Sequence, residues 1–146
     1  STPQRSTLRC QDASIKSSYM HSLESAKAAL RDHKPHVVVG FSWGGALACD
    51  LIADGHWDGP TVLLAPAHQK LLALRGMTSL SPPLLRLPRS SVVVHSKEDK
   101  LVPIESSRNL VERQGVESKV RLLEIDKDPH AMWSLASDGT LARLVH

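Results

Sequence analysis

The chain has 146 residues, 41% of them apolar and 23% charged, and its formal net charge is +3. This composition is typical of one globular domain with its own core, and it excludes a two-domain protein and a disordered one. The small positive surplus and the aromatic fraction of 3% disfavour nucleic-acid binding, and no apolar run approaches the roughly 18 residues of a membrane span.

The N-terminal region divides into two parts. Residues 1–18 are polar, and their few apolar positions fit neither a helical nor a strand period, so we expect a loosely structured arm. Apolar side chains then recur every three or four residues from Tyr19 to Asp32, and the pattern stops at Pro35. This predicts a helix that opens a single domain over residues 19–146.

Apolar and β-branched runs alternate with helical patterns along the rest of the chain. Continuous apolar runs without alternation are typical of strands covered on both faces. The predicted strands are His36–Phe41, Thr61–Ala65, Ser91–His95 and Lys119–Ile125, and the predicted helices are Gly44–Ala53, Ile104–Gln114 and a short one over Ala131–Ala136. This order predicts an α/β fold with a short, mostly parallel sheet of about four strands flanked by helices.

The sequence Gly40-Phe41-Ser42-Trp43-Gly44 joins the first of these strands to its helix. A serine on such a sharp turn adopts a strained backbone conformation, which predicts a need for the glycines two residues before and after it. The turn would expose Ser42 Oγ at the carboxyl edge of the sheet, where the Trp43 N–H can point at a developing oxyanion. The motif predicts a nucleophile; a serine that only caps the helix is the alternative.

A nucleophilic serine needs a base and a carboxylate that orients the base. His130 follows the fourth strand and lies at the same edge as Ser42, with His95 and His68 as other neighbours. Asp99 in the loop after the third strand is the better candidate acid. The competing carboxylates are the adjacent Glu98 and, more weakly, Asp126 and Asp128.

The order Ser, Asp, His on alternating strands and helices resembles the α/β-hydrolase family. Members typically show G-x-S-x-G-G at the nucleophile, a segment like H-G-x-x-D-x-x-V-P around the acid, and G-x-H or similar at the base. The matching segments here are 40–45, 95–103 and 128–130, within a resemblance that covers about residues 36–137. It implies Ser42 as nucleophile, Asp99 as orienting acid and His130 as general base. Ser96 stands in place of the usual Gly, and Pro129 precedes the base.

Two family features are missing from the sequence. The family places several strands before the nucleophile strand, and a loop often marked His-Gly supplies a second oxyanion donor. Only 35 residues precede the first predicted strand here, and they contain no His-Gly. The chain is therefore a minimal hydrolase or a fragment of a longer protein, and Arg9–Ser14 is the candidate for the second donor. We expect the arm or a homodimer to cover the exposed edge of the nucleophile strand.

Residues 67–89 lie where the family inserts a lid, and they are rich in Leu and in basic side chains. We expect a short helix that closes the core with a solvated basic face. Contact with acyl chains, anionic substrates or a membrane surface is the less favoured alternative. The candidate substrate-binding residues are Phe41, Leu71, Met77 and Trp133.

These observations predict a serine hydrolase that cleaves short-chain carboxylic esters through an acyl-enzyme on Ser42. A thioesterase or peptidase would use the same triad, and a non-catalytic binding domain that retains the turn is the alternative of another class. Cys10 and Cys49 lack metal-ligand spacing, so we expect no metal and no cofactor. The first residues lack the apolar stretch of a secretory signal, and we expect a cytoplasmic protein.

Overall fold

The four predicted strands are all present and form one sheet. The computed structural model describes residues 3–70, 85–126, 128–132, 135 and 137–145. In chain order the elements are α1 (Pro3–His33), β1 (Val38–Phe41), α2 (Trp43–Ala53), β2 (Thr61–Leu64), β3 (Val92–Ser96), α3 (Ile104–Glu112), a 3₁₀ turn (Val116–Ser118), β4 (Arg121–Ile125) and α4 (Thr140–Val145). The strands are parallel in the order β1-β2-β3-β4. This confirms the predicted α/β fold with a short parallel sheet flanked by helices.

The two central strands explain why the apolar runs do not alternate. Every residue of β2 and β3 is buried, because both faces of the sheet are covered. On one face Leu63 and Val93 pack against α2 and Leu110 of α3. On the other face Val62 and Val94 pack against Met132 and Leu135, with α4 alongside. The sheet is therefore held between two apolar layers, and its carboxyl edge carries the connecting loops.

The N-terminal region is helical, and the expectation of a loosely structured arm is wrong for residues 3–18. Pro3 occupies the first helical position, where its fixed φ and missing N–H favour a helix start. Neither Gly nor a second Pro interrupts the chain before Pro35. The side chains from 13 to 18 are exposed. An exposed helical segment needs no apolar stripe, so these residues show no helical spacing of apolar side chains. The predicted domain start at residue 19 does not coincide with a break in this helix.

Helix α1 packs on α2 through a small aromatic contact. Tyr19 and Leu23 are each 2% exposed. The Tyr19 ring meets Trp43 edge-on, with ring centroids 5.6 Å apart, and its hydroxyl donates a hydrogen bond to the Asp50 carboxylate. Edge-to-face geometry with a satisfied hydroxyl is a favourable arrangement for a buried tyrosine. The long N-terminal helix is thereby fixed to the helix that follows Ser42.

Strand β1 lies at one edge of the sheet. In the part of the chain that the structure describes, it pairs with β2 alone. Its side chains Val39 and Phe41 are 44% and 42% exposed, and α1 meets α2 at Tyr19 instead of adding a strand to this edge. Apolar edge strands are open to further pairing. Self-association through this edge stays a prediction.

Several residues with predicted roles lie outside the described part of the chain. Residues 71–84 of the expected cover, with Leu71 and Met77, lie outside the described residues, as do Trp133 and parts of the predicted helix Ala131–Ala136. The sequence did not predict α4, whose Leu141 and Leu144 pack against the Met132 side of the sheet. None of the described helices combines the length and the apolar character that crossing a bilayer requires.

Candidate active site

Ser42 lies at the junction of β1 and α2 in a strained conformation. Its φ is 51° and its ψ is −110°, a region that residues with a Cβ rarely adopt. The Ser42 N–H donates to the Leu64 carbonyl at 2.8 Å, which extends the β1–β2 ladder. The Ser42 carbonyl accepts from the N–H groups of Ala46 at 3.1 Å and Ala67 at 2.9 Å. Hydrogen bonds on both sides of the residue thus hold the turn in place.

Two of the three glycines around this turn are required by close contacts. A Cβ on Gly40 would lie 2.7 Å from the Gly44 carbonyl oxygen, and one on Gly45 would lie 2.8 Å from Pro66. A Cβ on Gly44 would meet no atom within 4 Å. The predicted need for Gly40 is confirmed, and the predicted need for Gly44 is wrong. The crowding arises because the start of helix α2 approaches β1 and the loop after β2. The strained conformation of Ser42 is not its cause.

This difference predicts opposite effects on stability for two neighbouring substitutions. Gly45→Ala is expected to lower the free energy of unfolding by about 1–3 kcal/mol, since the methyl group must displace Pro66. Gly44→Ala is the matched control in the same helical turn. It is expected to leave stability unchanged or raise it by up to about 1 kcal/mol, because Ala is the better helix former. Urea unfolding of both variants measures this, and equal losses would contradict the packing argument.

The structure brings the three candidate catalytic residues together. His130, in the loop after β4, has its Nε2 2.7 Å from Ser42 Oγ and its Nδ1 2.5 Å from Asp99 Oδ2. The Asp99 side chain is fully buried and the His130 side chain is 15% exposed. A carboxylate can only accept, so Nδ1 carries a proton and Nε2 is free to accept the Ser42 hydroxyl proton. This is the geometry that a nucleophile, base and orienting acid require.

Asp99 is held as a carboxylate by the turn that follows it. Its Oδ1 accepts the N–H groups of Leu101 at 2.9 Å and Val102 at 2.8 Å. Burial is the largest single influence and raises the pKa of Asp99. The hydrogen bonds from Val102, His130 and Leu101 together outweigh burial and hold the pKa below its ordinary value. The acid therefore stays ionised at neutral pH, as an orienting carboxylate must.

The rival acids and bases have other surroundings or partners. Glu98 is exposed, and Asp126 pairs with Lys97 at 2.7 Å. The Asp128 carbonyl accepts a hydrogen bond from the Ser96 hydroxyl. The His68 Nδ1 lies 3.1 Å from the Pro66 carbonyl, and burial lowers the pKa of that imidazole. His95 is buried beside Asp99, at 3.2 Å from its Oδ2.

Ser96 links the loop of the acid to the loop of the base. Its side chain is buried at the end of β3. The hydroxyl accepts the Glu98 N–H at 3.2 Å and donates to the carbonyl of Asp128, two residues before His130. In the sequence, Ser96 is distinguished only by standing where the family has a glycine. That departure was the one available signal for a contact between residues 32 positions apart.

The structure places the two candidate oxyanion donors in different helices: Trp43 begins α2, and Arg9–Ser14 lie in α1. Trp43 is the first residue of α2, and the first N–H groups of an α-helix have no acceptor within the helix. Its backbone N–H stays the candidate oxyanion donor beside Ser42. The expected second donor from Arg9–Ser14 is wrong, because these residues lie inside α1. Their N–H groups are used in the helical hydrogen bonds.

An open cleft adjoins the base and the acid. It has a volume of about 1030 Å³ and is lined by residues 97–101 and 129–131. Leu101 on its wall is 60% exposed. Of the four candidate substrate-binding residues, Phe41 is described, and its ring centroid lies 5.1 Å from that of His130. An exposed aromatic ring against the base provides an apolar contact next to the reacting atoms.

Solved structures share this architecture. A predicted CIB-like hydrolase from Thermoplasma acidophilum superimposes with a TM-score of 0.62 at 19% identity, over 87% of this chain and 57% of that one. An α/β serine hydrolase homologue from Coxiella burnetii gives 0.58 at 22% identity, over 84% and 56%. The butyrate-bound form of a thermophilic esterase from the Planctomycetes species Thermogutta terrifontis gives 0.57 at 20% identity, over 83% and 61%.

The sequence comparisons add no closer relative. No protein-family model matches the chain, and no curated protein matches its sequence. The chain has the α/β-hydrolase fold, which confirms the resemblance drawn from its motifs. It spans 56% to 61% of the length of the three solved chains described above.

Proposed function

We propose that the protein is a serine hydrolase that cleaves carboxylic esters. The observation that carries this proposal is the hydrogen-bonded triad of Ser42, His130 and Asp99. Its serine lies on a strained strand-to-helix turn. Backbone strain is retained where the surrounding structure enforces it, and such positions cluster at active sites. A binding domain without catalysis would have no need of a buried, ionised acid behind the imidazole. The complete triad therefore favours an enzyme.

In the first step Ser42 Oγ attacks the ester carbonyl while His130 Nε2 takes its proton. Asp99 keeps the imidazole in the required tautomer and stabilises the imidazolium that forms. The negative charge on the carbonyl oxygen develops beside the Trp43 N–H and the N-terminal end of α2. Both favour an anion at that place, since the helix presents its partial positive charge there.

In the second step the imidazolium returns its proton to the leaving alcohol, and an acyl group remains on Ser42. His130 then accepts a proton from water, the hydroxide equivalent attacks the acyl carbon, and the carboxylic acid leaves as Ser42 recovers its hydrogen. The same chemistry would apply to thioesters and peptides. Esters are proposed because one structural neighbour is described as an esterase, in a butyrate-bound form.

The open cleft leads to a prediction about chain length. A site with an exposed Phe41 and Leu101 buries little of a long acyl chain, although each buried methylene would contribute about 0.8 kcal/mol. We therefore expect hydrolysis of nitrophenyl acetate and butyrate, with efficiency falling beyond about eight carbons. If the second oxyanion donor is missing, turnover is expected to be lower by roughly 10²–10³ than in an enzyme with two donors.

The kcat/KM for nitrophenyl esters from two to sixteen carbons measures this dependence. A steep rise toward the long esters would contradict it and would assign an acyl-binding role to the Leu-rich segment of residues 67–89. The proposal that the protein is a serine hydrolase is tested by incubating it with a fluorophosphonate probe and mapping the adduct by mass spectrometry. An adduct on Ser42 supports a serine hydrolase, and heat-unfolded protein is the control for non-specific labelling.

A further inference from the structure

A second buried imidazole lies behind the acid. His95 belongs to β3, and its side chain is fully buried. Its Nε2 is 2.8 Å from the Val102 carbonyl oxygen and 3.2 Å from Asp99 Oδ2. Its Nδ1 is 2.7 Å from the hydroxyl of Ser107 on α3, which is also buried. Both ring nitrogens of this histidine therefore have fixed partners.

The partners determine where the proton resides. A carbonyl oxygen only accepts hydrogen bonds, so Nε2 of His95 carries a proton and donates it to Val102. The Ser107 hydroxyl is the hydrogen-bond partner of the other ring nitrogen, Nδ1. Nε2 also lies 3.2 Å from Asp99 Oδ2, close enough for an electrostatic contact with the carboxylate, while its N–H is directed at the Val102 carbonyl. His95 thus supports the acid through Val102, whose N–H binds Asp99 Oδ1, and with both ring nitrogens engaged His95 is not placed to act as the base for Ser42.

These contacts close a ring around the acid. The Val102 N–H binds Asp99 Oδ1 at 2.8 Å, and the Val102 carbonyl binds His95. His95 in turn approaches Oδ2, the oxygen that receives the His130 N–H. The carboxylate is held at both oxygens, and rotation about its Cβ–Cγ bond would break contacts on each side. Asp99 can therefore present Oδ2 to His130 in one orientation only.

We propose that His95, oriented by Ser107, is a positioning residue that fixes the Asp99 carboxylate toward His130. This inference rests on the proposed function. Its consequence is that the loss of the His95 donor misplaces the acid and slows the acylation of Ser42, while ester binding is unaffected. The effect should therefore fall on kcat and on the rate of probe labelling, not on KM.

The test compares two substitutions of His95 that differ in one donor. His95→Phe keeps a planar ring but removes the donor, and kcat is expected to fall by about 10², the cost of misplacing a catalytic group by roughly an ångström. His95→Gln places an amide N–H near the position of Nε2, and kcat should recover to within about tenfold of the wild type. A kcat for His95→Phe equal to that of the wild type, or equal losses in both folded variants, would overturn the proposal.

A pair of adjacent serines provides the matched control and a route around misfolding. Ser106 and Ser107 are both buried on α3. The Ser106 hydroxyl donates to the Pro103 carbonyl at 2.8 Å, whereas Ser107 contacts His95. Ser107→Ala is expected to lower kcat several-fold at constant KM, and Ser106→Ala to leave it unchanged. If His95→Phe does not fold, this pair decides the matter, and equal kcat values for the two serine variants would contradict the proposal.

A spectroscopic measurement separates this proposal from the proposed function. A short hydrogen bond between His130 Nδ1 and Asp99 gives a strongly downfield proton resonance in NMR, which His130→Ala would remove. The resonance should persist in His95→Gln and Ser106→Ala, and it should shift or broaden in Ser107→Ala. Wild-type protein that shows the resonance without ester hydrolysis would contradict the proposed function alone. An unchanged resonance in Ser107→Ala would contradict the positioning role.

Discussion

Ser42→Ala is expected to abolish both ester hydrolysis and fluorophosphonate labelling. The substitution removes the hydroxyl oxygen that is placed to attack a carbonyl under the control of His130, whose Nε2 lies 2.7 Å from Ser42 Oγ. Removing the nucleophile of a serine protease lowers kcat by about 10⁶, and the residual rate comes from binding and oxyanion stabilisation. The remaining ester hydrolysis should therefore be barely detectable above the uncatalysed reaction.

The fold should survive this substitution. The turn at residue 42 is held by backbone hydrogen bonds from the residue's own N–H and carbonyl, which alanine retains. One side-chain hydrogen bond to a part-exposed imidazole is lost, so stability should change by no more than about 1 kcal/mol. Circular dichroism and urea unfolding check that the variant is folded.

Ser22→Ala is the matched control for labelling. The Ser22 hydroxyl lies on the exposed side of α1 and bonds to the Ser18 carbonyl at 2.9 Å, so its removal should change neither activity nor labelling. Labelling that persists in Ser42→Ala would show that another serine reacts with the probe. In that case the assignment of the nucleophile would be wrong.

The sequence predicted the sheet and the meeting of Ser42, Asp99 and His130 for related physical reasons. Strands that are buried on both faces must be continuously apolar, so β2 and β3 are visible in the sequence as uninterrupted runs. Residues that follow parallel strands then share the carboxyl edge of the sheet. Whether Ser42, Asp99 and His130 meet depends only on which strand each of them follows. The order of the residues along the chain determines this.

The features that the sequence did not predict depend on contacts between distant segments. The exposed part of α1 carries no apolar stripe, since nothing packs against its described side chains from 13 to 18 closely enough to bury them. The need for Gly45 arises from Pro66, on a loop 21 positions later. The contacts of His95 with α3 and of Ser96 with the loop before His130 depend on how closely these segments approach the end of β3. No local pattern records such distances.

Asp99→Asn is expected to lower kcat by about 10⁴, as loss of the orienting acid does in a serine protease. An amide in place of the carboxylate can offer its N–H to His130 Nδ1, and the imidazole then carries its proton on Nε2. The base would face Ser42 with a proton already in place, at the position where it must accept one. Glu98→Gln makes the same change of charge one residue away, on an exposed side chain, and should leave kcat within about twofold.

The same substitution should remove part of the pH dependence of stability. The pKa of Asp99 in the folded protein is below its ordinary value, so its carboxylate stabilises the fold above the unfolded pKa. That contribution is lost as the pH falls through the folded pKa, below about pH 4. Wild-type protein should therefore lose more stability than Asp99→Asn on acidification, whereas Glu98→Gln should follow the wild type. Urea midpoints at several pH values measure the difference.

The two readouts together distinguish the acid from its neighbour. A catalytic role alone would lower kcat, and a structural role alone would change the acid sensitivity of folding. The contacts of Asp99 predict both, because its Oδ2 binds His130 while its Oδ1 closes the turn through Leu101 and Val102. If Glu98→Gln lost activity and Asp99→Asn did not, the orienting carboxylate would be the exposed one. The loop would then have to turn by one residue when substrate binds, and the buried contacts of Asp99 would serve stability alone.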